Sequence, residues 1–259
     1  MAASVTNPDW SRDEHIMAFN LYCKMPYGKM HHRNPDVIKL AQLLNRTPGS
    51  ISRKLSNFAR LDPTLQKRSI KGLEHGAKGE VAVWQEFNGK WEELAIESAQ
   101  LLAAKENIPL ENTISTSADD FEEMETEREQ LVKTRIKQDF FRSSVLAAYD
   151  FKCCITGLNI PQLLIASHII PWSRDKKNRV NPQNGLCLNA FHDKAFDRGF
   201  LTVSTDLRIK VSSRLLKKKP TDTIDKFLTS YHGAAIHLPR HFLPKAEFLD
   251  YHNRNIFED

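Results

Sequence analysis

The sequence predicts an α+β protein of two parts: an all-helical N-terminal domain of the helix-turn-helix kind, and a C-terminal domain of short strands and a short helix. Three observations predict it. Apolar residues recur at helical spacing through roughly the first half of the chain. From about residue 150 the pattern changes to short apolar runs punctuated by Gly, Pro and Asn. Positive charge gathers in two blocks: residues 24–71 carry eleven Lys or Arg against two acids, and residues 152–219 carry thirteen against four, so each block is +9 in a chain of net charge +5. The expected division is 1–72 as a DNA-binding domain, 73–135 as a helical connector with an acidic linker, and 136–259 as the domain that carries chemistry.

Composition excludes several classes. At 41% hydrophobic and 27% charged residues, the 259-residue chain can bury a core, which argues against wholesale disorder. The start MAASVTNPDW has no secretory pattern, and no run reaches the roughly 18 apolar residues of a membrane span. A cytoplasmic, bacterial-type intracellular protein with no membrane partner is expected. Cys23, Cys153, Cys154 and Cys187 form no C-x-x-C pair, so neither a disulfide framework nor a structural zinc is expected. Buried thiols in a reducing compartment account for them.

Taken in order, residues 9–23 read as a helix with Ile16, Phe19 and Cys23 inward. The segment MPYGKMHHRNP breaks it, and His31 and His32 within that loop read as solvated. Val37, Leu40, Ala41 and Leu44 mark one face of a helix over 35–45. Thr47-Pro48 supplies a cap and a first-turn proline for a third helix to about 61, with Ile51, Leu55, Phe58 and Ala59 inward. Two short helices about a tight turn suggest a helix-turn-helix. Its expected DNA contacts are Arg46, Ser50, Arg53, Lys54 and Asn57 on the outer face. Residues 72–116 read as further helix with Val81, Trp84, Phe87, Trp91, Leu94, Ile96 and Leu101 as core. The acidic run over 117–130 reads as a solvated linker.

Beyond residue 150, FKCCITG and LLIASHIIPW read as strands, LCLNAFHDKAFDRG as a helix, and FLTVS and LRIKVSS as further strands. His168 ends a strand, Asn184-Gly185 follows sixteen residues later, and His192 lies eight residues beyond Asn184. Phosphodiester hydrolysis needs a general base near neutral pKa, which imidazole supplies, and a cation to neutralise charge developing on the phosphate. His168 is the expected base and His192 the first metal ligand. Asn184 would hold the loop to the main chain or offer its oxygen to the metal. Arg174, Lys176 and Lys177, in the loop after His168, are expected to meet phosphates.

The string CCITGLNIPQLLIASHIIPWSRDKKNRVNPQNGLCLNAFHDKAFDRGFLTVS resembles the core of the HNH, or ββα-metal, endonucleases, and the likeness covers roughly residues 140–257. It implies catalytic roles for His168, Asn184 and His192 and a divalent cation bound by His192; Asn184 and Asp197, which matches a recurrent acidic position of the family, are the further candidate ligands. Magnesium is the first expectation for that cation, with manganese or nickel as alternatives. It implies double-stranded DNA as substrate and a restriction or phage-defence setting. Because one such site cuts one strand, a homodimer is expected for a double-strand break. This sequence departs from the pattern at Ser167, where many members carry an acid before the base; Asp193 or Asp197 could supplement the ligands. The paired C-x-x-C knuckle is also missing, so Trp172, Phe191, Phe196 and Leu186 are expected to replace it by packing. Two other readings stay open: a DNA-binding regulator with an inactive HNH scaffold, and a nonspecific nicking or toxin nuclease.

Overall fold

The computed structural model describes residues 9–68, 76, 78–113, 125–217 and 221–259. Its helices are α1 Arg12–Lys24, α2 Pro35–Leu43, α3 Pro48–Leu61, α4 Pro63–Lys67, α5 Lys78–Phe87, α6 Trp91–Glu106, α7 Glu125–Ala148, α8 Ala190–Asp197, α9 Ser213–Leu216, α10 Asp222–Phe227 and α11 Ala246–Asn255. Two antiparallel hairpins complete it: β1 Leu164–His168 with β2 Gly185–Asn189, and β3 Leu201–Val203 with β4 Ile209–Val211. The chain divides into two compact units, one of residues 1–22 and 28–136, the other of residues 23–27 and 137–259. Most of the expected acidic linker, residues 114–124, lies outside the described residues, as do Lys218 and Lys219.

The first unit is helical, as its periodicity dictates. Asn34 caps α2 by accepting from Asp36 N at 2.8 Å, and Thr47 caps α3 by accepting from Ser50 N at 3.2 Å. Ile16, Phe19, Val37, Ile51, Leu55 and Phe58 are fully buried. Phe19 stacks on Phe58 at 4.8 Å between ring centroids. On α5 the core position is Val83, while Val81 is half-buried.

One face of α3 differs from expectation. Lys54 and Asn57 are buried, and both donate to Glu80 Oε1 of α5. Burial pushes the Glu80 carboxyl up, but the bonds from Lys54 and Asn57 outweigh it and leave the pKa below the usual range. Arg46 is also occupied: its guanidinium forks onto Glu14 with two 2.8 Å bonds and lies 4.4 Å over the Trp10 ring. The expected DNA contacts at Arg46, Lys54 and Asn57 are therefore corrected to internal ion pairs and hydrogen bonds. The acids that claim Arg46 and Lys54, Glu14 and Glu80, lie outside the 24–71 block, so a charge sum along the sequence could not show them. Arg53 remains exposed and Ser50 half-buried.

In the second unit β1 pairs with β2, with His168 opposite Gly185 and Leu164 opposite Asn189. FKCCITG is not a strand. Asp150 and Phe151 turn the chain in left-handed conformation, and Cys154 N bonds the Cys187 carbonyl at 2.7 Å. The missed strand is β2, whose residues Gly185 to Leu188 are all buried, so it shows none of the alternation that marks a half-exposed strand. Gly185 has an extended φ of −128°. Its need for glycine is room: a Cβ there would strike Val145 and Phe141 of α7.

Candidate active site

His168 closes β1 with its ring stacked on Phe141 at 3.8 Å and edge-on to Trp172 at 5.6 Å. Its Nε2 bonds the Arg179 carbonyl at 2.8 Å. A carbonyl only accepts, so the proton sits on Nε2 and the lone pair is left on Nδ1. Burial lowers the His168 pKa, partly opposed by that carbonyl, and so favours the neutral ring. A fixed tautomer with a free lone pair is what a general base requires.

Asn184 is fully buried, and its side chain is committed to main chain. Its Oδ1 accepts from Ile170 N at 2.8 Å, while Nδ2 donates to the carbonyls of Ile170 at 3.1 Å and Asn178 at 3.2 Å. It ties both ends of the loop that follows His168. Of the two roles expected of Asn184, these bonds are those of the loop clamp, and the amide oxygen that the ligand role would use faces Ile170 N in a buried setting.

His192 is likewise buried and bonded on both ring nitrogens. Asn189, the N-cap of α8, accepts from His192 N at 2.9 Å and returns its Nδ2 to His192 Nδ1 at 3.0 Å. His192 Nε2 donates to the Phe227 carbonyl at 2.6 Å. Burial pushes the nearby Cys153 thiol up, but the polar influence of His192 and Thr156 brings it down to about 7. No lone pair of His192 is open to a metal in this arrangement, so its expected role as first ligand is corrected to a structural one.

Asp193 and Asp197 lie four residues apart, and so on one face of α8. Burial raises the pKa of both carboxyls, and the charge of Asp193 raises Asp197 further. Ser167, which stands where an acid was missing, sits beside Asp193 and draws that carboxyl's pKa down against burial. Its hydroxyl is buried without a well-formed hydrogen bond. Asp197 and His168 share a cavity of about 360 Å³ with Pro171, Arg174, Tyr251, His252, Asn255 and Ile256. Arg174, Lys176 and Lys177 are all exposed.

A histidine on a strand end, a clamped loop, and a helix packed on the hairpin make a ββα unit. Residues 153–204 match the family model for HNH endonucleases. No curated protein matches the chain. The match supports nuclease activity, and all the residues just described except Ile256 and those of α7, α10 and α11 fall inside it.

Within the HNH segment the missing knuckle is replaced differently from expectation. Leu186 and Phe196 are buried, but Phe191 is 45% exposed and Trp172 half-buried, while Cys153, Cys154 and Cys187 fill the interior as free thiols. Outside the segment, sequence reasoning missed Phe141, the Phe227 carbonyl and His252. Only His252 carried a signal: in FLDYHNRNIF it lies four residues after Phe248 and three after Leu249, on the apolar face of α11.

Proposed function

We propose that the second unit hydrolyses DNA phosphodiester bonds, with His168 as general base. The observation that supports this best is the His168 ring, held by Phe141, fixed as the Nε2 tautomer by Arg179 and kept neutral by burial. Nδ1 takes the proton of the attacking water. Asn184 keeps the loop from residue 169 in register with β2, and Arg174, Lys176 and Lys177 draw the phosphate backbone to the cavity mouth.

His192 and Asn184 do not fit a metal, for the reasons above. Asp193 and Asp197 do: two oxygen donors on one helix face that repel each other suit a hard divalent cation, with water and substrate phosphate as its remaining ligands. Bound there, magnesium, or manganese or nickel, would neutralise charge on the phosphate and the departing 3′ oxygen. A restriction or phage-defence enzyme acting as a homodimer is the setting we favour, two sites being needed for two strands.

Supercoiled plasmid incubated with magnesium tests the reading. The wild type should nick or linearise it, and His168→Ala should slow cleavage by about 10² to 10⁴ while still binding DNA. Among the described residues no three His, Cys, Asp or Glu side chains converge as a ready ligand set, which favours the regulator with an inactive scaffold as second reading. Binding of DNA by the wild type with no cleavage in magnesium, manganese or nickel would select it.

A further inference from the structure

The cavity beside His168 has a second imidazole in its wall. His252, on α11, is 1% exposed, stacks on Phe196 of α8 at 3.7 Å, and bonds Thr202 Oγ1 of β3 through Nδ1 at 2.7 Å. Burial pushes its pKa down to about 4, opposed in part by the nearby Phe196 carbonyl, so the ring is neutral at pH 7. Its Nε2 is buried and makes no well-formed hydrogen bond. Where the Thr202 hydroxyl is the donor to Nδ1, the single ring proton stands on Nε2. An unsatisfied buried donor is costly in the free protein. That cost is recovered if a ligand supplies an acceptor.

Three donors in the same cavity suit an anion. Arg174, Tyr251 and Asn255 line the same cavity and are all hydrogen-bond donors, and His168 lies across it. The exception is Asp197, a carboxylate that an anion could share only through a cation. We propose that His252 is a further substrate-contacting residue, its Nε2–H donating to a non-bridging oxygen of the DNA phosphate that occupies the His168 cavity. This rests on the nuclease reading above. Position 252 lies 48 residues beyond the end of the HNH match at 204, so α11 completes a site that the matched segment leaves open on one side.

Two conservative variants of the full-length protein separate this role from a purely structural one. His252→Asn keeps a polar nitrogen near Nδ1, for Thr202, and loses the Nε2 donor. His252→Gln places an amide nitrogen near Nε2 and loses the Thr202 bond. On supercoiled plasmid at saturating magnesium, the asparagine variant should lose about tenfold or more in kcat/KM, the worth of one hydrogen bond to a charged group. The glutamine variant should stay within about threefold of wild type. Wild-type rates for His252→Asn, or an equal loss in both variants with folding intact, would overturn the proposal. Should both variants unfold, the ¹⁵N resonance of His252 Nε2 in the wild type decides: a short duplex added in calcium should shift it, and an unmoved signal refutes the contact. Cleavage by wild type and not by His168→Ala upholds the nuclease reading whichever way His252 behaves. If the wild type cuts nothing, that reading fails on its own, and the resonance still reports whether a phosphate is met.

Discussion

His168 and His192 have the same side chain and opposite fates, decided by what each ring nitrogen meets. His168 has one nitrogen on a carbonyl and one free; His192 has both bonded. For His168 the consequence is a pH profile. Its pKa is lowered from 6.5, so the neutral, basic form persists to a lower pH than for a free imidazole. The cleavage rate at saturating cation should be flat near pH 7 and fall only on the acid side, with a midpoint below 6.5; a midpoint at or above 6.5 would refute the buried, neutral base. Asp193 and Asp197, raised from 3.8, add to the same acid limb. For His192 the consequence is stability. His192→Ala strands the Phe227 carbonyl and should cost about 1 to 3 kcal/mol in urea denaturation, while leaving calorimetric manganese affinity unchanged. Asp197→Asn should do the reverse. Loss of manganese binding in His192→Ala at intact fold would return the ligand role to His192.

At the scale of elements, the site depends on a loop clamp as well as on the hairpin that carries His168. Asn184→Ala would leave the Ile170 amide and carbonyl without their partner in a buried setting, at about 1 to 3 kcal/mol for each group that water cannot reach, while the Asn178 carbonyl keeps its bond from Asn181 N. Thermal unfolding should therefore shift down strongly, and activity should fall with folded fraction rather than with cation concentration. Cation titration that restores Asn184→Ala would mean the amide is a ligand after all. Helices α2 and α3 were legible in the sequence because each carries its own cap, proline and apolar stripe. Strand β2 was not, because a segment buried on both faces has no period to read. Within the site, His168 was legible from the motif string, whereas Asp193 was noted only as a supplement. Its partnership with Ser167 depends on α8 packing against β1, a contact that residue spacing alone does not encode.

Across the whole molecule, the two positive blocks predicted by summation are not equivalent surfaces. In the second block Arg174 lines the cavity, and Arg174, Lys176 and Lys177 all stay exposed. In the first, Lys54 and Arg46 are spent on Glu80 and Glu14, and Arg53 is left exposed beside them in sequence. Neighbouring residues of like charge should therefore fail in different ways. Arg53→Ala should leave urea stability within about 0.5 kcal/mol of wild type, as for other exposed positions. If it meets a phosphate, it should flatten the plot of log DNA affinity against log salt by about 0.9. Lys54→Ala should instead destabilise the first unit by about 3 to 5 kcal/mol, because it strands a fully buried Glu80 carboxylate. Replacing both partners, Lys54→Met with Glu80→Leu, should recover most of that loss, since an apolar pair of similar volume carries no unpaired charge. If Lys54→Ala proves as stable as wild type and lowers only the salt slope, then Lys54 reaches DNA and the buried pair is not its working state.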